Sequence, residues 1–264
     1  MEMTSSEPEI VHHPATGEAT GAPVLIVPGA FSDADSFEAV AQWISGRGRS
    51  THTVRLPHRS SRIPQVDRGG LAAVDAALDR ACDDIGEPLV AFGHSLGGLA
   101  VLRLLSRRRL EGGILMMPVP PGGLGPDAIR LLRRRPLDAA KMLGLSFSAW
   151  PVRHLPGRPP RGMMSEGTPS EVIEASAERR KSESWRLLAQ VMVGSRETPP
   201  PVDTPLLLAG GSQDSIVSPE GVARLAGELH APYLEFDVGH AFAEEPGFEI
   251  VLESVFDRLE DHGR

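Results

Sequence analysis

Short apolar runs bounded by Gly, Pro or polar residues alternate along the chain with longer stretches in which apolar positions recur at helical spacing. The runs fall at 24–27, 52–56, 89–92, 113–117, 206–209 and 233–237. Each is a few residues long and apolar at successive positions, the pattern of a strand covered on both faces. The helical stretches between them are 36–45, 71–85, 96–107, 219–228 and 247–259. Strands alternating with helices predict an α/β fold with a mostly parallel central sheet flanked by helices. Asp35 or Ser36 is the expected cap of the first helix, and Ser218 before Pro219 reads as N-cap followed by N1. Ahead of the first buried run only 9–22 is available for sheet, with Ile10-Val11 as an edge strand, so a reduced N-terminal sheet is expected.

The rhythm breaks after Met117. Residues 118–204 are too long for a simple crossover. They open on Pro118-Val119-Pro120-Pro121-Gly122-Gly123 and carry helical patterns at 127–135, 137–145 and about 170–193. A Pro/Arg/Gly-rich stretch occupies 151–162. The expected organisation is a core made of 1–117 and 205–264 with 118–204 inserted between two strands as a helical lid.

The chemistry concentrates at Gly93-His94-Ser95-Leu96-Gly97, a G-x-S-x-G pattern between an apolar strand and an amphipathic helix. A chain that turns from strand to helix in so few residues strains the serine backbone and leaves no room for side chains beside it. It also leaves the Ser95 hydroxyl at a helix N-terminus, where the Leu96 amide can stabilise an oxyanion. A chance glycine–serine turn is the plain alternative, and the strand–turn–helix context argues against it.

On these residues the chain resembles the α/β-hydrolase family, from about Val24 to Leu259. That family orders its catalytic residues as nucleophile, acid, histidine. Asp214, in the loop Gly210-Gly211-Ser212-Gln213-Asp214 after the penultimate strand, resembles the acid. His240, in Val238-Gly239-His240-Ala241-Phe242 after the last strand, resembles the histidine. The resemblance implies a Ser95–His240–Asp214 triad, with backbone oxyanion donors at Ala30 and Leu96 and Phe31 as a second choice. The donor loop Pro28-Gly29-Ala30-Phe31 has Pro where many relatives have His. Asp214 is also suited to capping a turn, and His240 to a plain loop position. His94 is expected to support the elbow rather than to move protons.

Composition changes this picture little. The balance of 41% hydrophobic and 23% charged residues is that of a globular domain, and the net charge of −8 argues against nucleic acid as a partner. The N-terminus lacks a signal-peptide pattern, and no apolar run approaches the ~20 residues that cross a bilayer, so a cytoplasmic protein without membrane insertion is expected. The one cysteine, Cys82, reads as a buried structural thiol. No Cys/His spacing suggests a metal, and no cofactor is expected.

Methionines and aromatics around the insertion are consistent either with a hydrophobic substrate pocket or with packing of its helices. Phe31, Met117, Trp150 and Trp185 are the candidate substrate contacts. Arginines at 107–109, 133–135 and 179–180 read as solvated helix ends, with an anionic partner as the alternative. The expected activity is hydrolysis of an ester, lactone or thioester of a hydrophobic small molecule. A lyase, cyclase or acyltransferase of polyketide-like metabolism would use the same residues, and a ligand-binding receptor on the fold is the non-enzymatic alternative.

Overall fold

In the computed structural model, which describes residues 9–56, 69–86, 88–134, 136, 163–194 and 202–262, the apolar runs all lie in one sheet. The elements in chain order are β1 (Glu9–His13), β2 (Val24–Val27), α1 (Glu38–Ser45), β3 (Thr51–Arg55), α2 (Leu71–Ile85), β4 (Val90–His94), α3 (Leu96–Leu105) and β5 (Gly112–Met116). They continue with α4 (Gly125–Arg134), α5 (Ser170–Arg179), α6 (Trp185–Val193), β6 (Leu206–Gly211), α7 (Pro219–Glu228), β7 (Tyr233–Phe236) and α8 (Phe248–His262). The sheet has seven strands in the order β1-β3-β2-β4-β5-β6-β7. Only β1 is antiparallel, and it pairs with β3 at the edge.

Strand periodicity sorts the apolar side chains onto two faces. Leu25, Val27, Ala91, Leu115 and Leu208 join a core with α2, α3 and α7. Their neighbours Ile26, Phe92, Ile114 and Leu207 join a second core with α1 and α8. Burial on both faces is why β2, β4, β5 and β6 read as unbroken apolar runs. Cys82 is buried in the first core.

Several boundaries differ from the sequence pattern. The 170–193 pattern is not one helix: it stops at Arg179 and restarts at Trp185, and Arg180 between them takes an extended conformation (φ −61°, ψ 135°). Neither Asp35 nor Ser36 caps α1. Asp33 caps a short 3-10 turn over Ala34–Ser36, and α1 starts after Phe37 without a side-chain cap. Ser218 does cap α7, its Oγ accepting from the Gly221 amide, with Pro219 at the first turn. The pattern at 127–135 corresponds to α4, whereas the expected helix at 137–145, the 151–162 stretch and Trp150 lie outside the described residues.

The chain passes from β2 to β3 on one side and then to β4 on the other. At such a reversal the loops leaving the strand ends diverge and open a crevice. The loops after β2 and β4 bound it, and those after β6 and β7 reach it from the far side of β5.

Candidate active site

Ser95 sits between β4 and α3 with φ 53° and ψ −117°, a conformation that costs a non-glycine residue about 1–3 kcal/mol. Three backbone hydrogen bonds hold it. Its N–H donates to the Met116 carbonyl (2.9 Å), and its carbonyl accepts from Leu99 N (3.2 Å) and Val119 N (3.0 Å). The glycines around it are there for space. A Cβ on Gly97 would overlap the Val27 carbonyl, one on Gly93 would overlap the Gly97 carbonyl, and one on Gly98 would stand 2.7 Å from Pro118 Cβ.

The structure brings Ser95, His240 and Asp214 into one hydrogen-bonded line. His240 Nε2 lies 2.9 Å from Ser95 Oγ, and His240 Nδ1 lies 2.6 Å from Asp214 Oδ2. All three are buried. A carboxylate only accepts, so Nδ1 carries the proton and Nε2 is left to accept from the serine hydroxyl. Asp214 also caps its turn: Oδ1 accepts from Ile216 N (2.7 Å) and Val217 N (3.0 Å). The turn-capping role and the histidine-partner role thus use different oxygens of one carboxylate.

His240 is fixed through its backbone as well. His94 Nε2–H donates to the His240 carbonyl at 2.7 Å, and the two rings lie at 49° to each other with centroids 4.9 Å apart. Burial, reinforced by His240 and Arg180, holds the His94 imidazole well below its usual pKa, so it stays neutral and keeps Nε2–H as a donor. Its Nδ1 has no partner among the described residues and lies beside Gly29, where a Cβ would come within 2.8 Å. That contact is the reason for glycine at 29.

Gly29–Ser32 is a turn closed by Ser32 N donating to Gly29 O (3.3 Å), with Phe31 at φ 60°. A bulky side chain at positive φ is uncommon and signals a conformation imposed from outside the turn. Among the described residues the amides of Ala30, Phe31 and Leu96 donate to no protein acceptor.

The segment between α5 and α6 was not legible as part of the site. Arg180 is 3% exposed rather than solvated. The helix ends before it, so its backbone turns inward, and its guanidinium pairs with Glu244, Ser176 and Ser32. Glu244 also takes Arg179 (2.9 Å). Next to it, Glu245 accepts from Gly239 N (3.0 Å) and Ser165 N (3.1 Å) and from the Ser165 hydroxyl. Breaking a buried ion pair by deleting one partner costs about 3–5 kcal/mol. The only sequence signal was two adjacent acids just after His240 and two adjacent arginines at a helix end.

The remaining candidates are placed differently. Met117, at φ 45° after β5, is fully buried in the α1/α8 core. Phe31 is buried, whereas Trp185 opens α6 and is 59% exposed. Arg107 and Arg108 pair with Asp75, Asp79 and Asp83 of α2, and Arg133 and Arg134 are exposed at the end of α4. No three His, Cys, Asp or Glu side chains among the described residues gather in a group able to hold a metal, and no described helix is long and apolar enough to cross a membrane.

The solved structures that share this architecture include an esterase of Thermogutta terrifontis (TM-score 0.72, 20% identity, 99% of this chain and 97% of that one). A monoacylglycerol lipase of Paleococcus ferrophilus aligns with TM-score 0.68 at 19% identity, over 97% of this chain and 99% of that one. A bromoperoxidase of Bacillus anthracis aligns with TM-score 0.64 at 15% identity, over 95% and 96%. At these identities the likeness is one of fold. No curated protein sequence matches the chain significantly. The profile of the alpha/beta hydrolase family matches residues 24–251; with a match of that extent, the chain belongs to the alpha/beta hydrolase family.

Proposed function

We propose that the protein is a serine hydrolase that cleaves an ester, lactone or thioester of a hydrophobic small molecule. The observation that carries this reading is the unbroken line from Ser95 Oγ through His240 to Asp214 at the elbow of β4 and α3. His240 Nε2 takes the hydroxyl proton as Ser95 Oγ bonds to the substrate carbonyl carbon. Asp214 holds the ring in the accepting tautomer and offsets its positive charge. The carbonyl oxygen becomes an oxyanion facing the Leu96 and Ala30 amides, the first of them at the N-terminus of α3. Collapse breaks the bond to the leaving alcohol or thiol, which receives the proton from His240. Water then attacks the acyl-serine, its proton passes through His240, and the carboxylic acid leaves with Ser95 restored.

The insertion between β5 and β6 serves in this reading as a lid over the site. Met163 and Met164 pack with Ile216 of the Asp214 loop and Ala241 of the His240 loop, and Ala241 N donates to Met163 O (2.6 Å). An apolar surface seated on two of the site's loops favours a hydrophobic acyl group. Phe31 contributes at the turn.

The test is intact-protein mass after treatment with a fluorophosphonate, on wild type, Ser95→Ala and His240→Ala. A single adduct on wild type, absent from Ser95→Ala and strongly slowed in His240→Ala, together with turnover of p-nitrophenyl esters, is expected. An adduct without turnover of esters, lactones or thioesters would move the reading to a lyase or acyltransferase that uses the same residues. Labelling of Ser95→Ala at the wild-type rate would overturn it.

A further inference from the structure

We infer that Arg180 and Lys181, from the segment joining α5 to α6, are positioning residues for the oxyanion hole, holding the Gly29–Ser32 turn in its reactive shape. The inference rests on the hydrolase reading above and assigns the insertion a part in the chemical step itself.

The turn is strained at Phe31 (φ 60°), and its own closing hydrogen bond is long, 3.3 Å from Ser32 N to Gly29 O. Something outside it must maintain that conformation. Two contacts from the insertion fall on the two residues that define its second half. Lys181 N donates to the Phe31 carbonyl at 2.9 Å, and Arg180 Nη1 donates to Ser32 Oγ at 2.9 Å. The Phe31 carbonyl belongs to the peptide that follows the strained residue, so a donor on it fixes ψ there and with it the direction of the Ser32 amide that closes the turn on Gly29.

Arg180 is itself fixed. Its Nη2 donates to Ser176 Oγ and to Glu244 Oε1, and Glu244 lies four residues after His240. From the other side, Arg55 Nη1 binds Asp33 Oδ2 at 2.6 Å, which anchors the residue after the turn to β3. The turn is therefore clamped between the sheet and the insertion, and the insertion side also touches the histidine loop. Without the insertion, Phe31 has no local reason to stay at positive φ, and the Ala30 amide would drift from the position a developing oxyanion needs.

The experiment compares Ser32→Ala, Arg180→Met and the double variant, each normalised to sites titrated by a fluorophosphonate, with p-nitrophenyl butyrate as substrate and Ser95→Ala as the control. Ser32→Ala removes one acceptor and leaves the Arg180–Glu244 pair in place, so it remains informative if Arg180→Met folds poorly. The expected result is a fall in kcat of about 10-fold for Ser32→Ala, short of the roughly 10²–10³ lost when an oxyanion donor is deleted outright. KM should stay within about twofold, the pattern of an interaction made in the transition state alone. The double variant should be no slower than Arg180→Met, since both act through one hydrogen bond. The rate of phosphonylation should fall in step with kcat, because the phosphonyl oxygen uses the same amides.

A merely structural role would lower the melting temperature and leave kcat per titrated site unchanged. That outcome, or effects of the two substitutions that multiply, would overturn the positioning role while Ser95→Ala remained inactive. Turnover by Ser95→Ala at the wild-type rate would instead remove the hydrolase reading on which it stands.

Discussion

At the scale of single residues, the site separates tasks between the atoms of one side chain. Asp214 shows this most directly. Its Oδ1 is occupied by the Ile216 and Val217 amides, so only Oδ2 is free to meet His240 Nδ1. Replacing Asp214 by Asn keeps the accepting oxygen that caps the turn and puts an NH₂ where Oδ2 was. That NH₂ donates to Nδ1, the imidazole proton moves to Nε2, and the ring no longer accepts from Ser95. Asp214→Asn is expected to lose about 10⁴ in kcat, as a wrong tautomer does in a serine triad. Its thermal midpoint should stay near wild type, since burial and the turn bonds are kept. Steady-state kinetics beside a melting curve checks both halves; a kcat within tenfold of wild type would remove Asp214 from the relay.

At the scale of elements, what the sequence revealed follows from where the forces are local. The elbow was legible because its glycines stand at fixed spacing around one strand–turn–helix unit, Gly93 answering a steric demand within that unit and Gly97 and Gly98 the close approach of Val27 and Pro118 beside it. Asp214 and His240 were legible because they follow strands whose apolar runs are unmistakable. The cap of α7 was legible for the same reason: Ser218 bonds the Gly221 amide three residues on, and Pro219 has no N–H to lose. Ser218→Ala should therefore cost about 1 kcal/mol, the usual worth of such a cap. For a chain of this size that is a shift of about 2–4 °C in melting temperature. No change in the melt would mean that the hydroxyl is replaced by water without loss.

The break at Arg180 was not legible, because nothing in 170–193 forbids a continuous helix. It stops where it does because a guanidinium 64 residues before Glu244 is satisfied only if the backbone leaves the helix. Phe31 is the same case: no residue near it asks for positive φ, and its conformation is set by Lys181, distant in sequence. Trp185 marks the converse limit. Its apolarity suggested a substrate contact, yet exposure is decided by which side of α6 faces the body, and that depends on packing partners elsewhere in the chain.

At the scale of the whole molecule, two histidines far apart in the sheet make stability depend on pH in the same direction. His52 on β3 faces His12 on β1, with rings stacked at 4.6 Å, and burial first and His12 second push its pKa down to about 4. His94, in the site, is pushed well below its ordinary value, by burial and then by His240. The unfolded chain titrates both near the ordinary value of about 6.5. Below that pH the unfolded state binds protons that the folded state refuses, so folding stability declines as pH falls. The contribution is therefore fully present above pH ~6.5 and is lost progressively towards pH ~4, where His52 titrates in the folded protein. Substituting His94 would disturb His240, so His52 is the site for a clean test. His52→Phe keeps an aromatic ring to stack on His12 and has nothing to protonate. Urea unfolding of wild type and His52→Phe at pH 7.5 and 5 should give the variant the smaller loss of stability between the two. Equal losses would mean that the His12–His52 stack opens enough to take up its proton while the fold persists, and that the acid sensitivity resides in the site around His94.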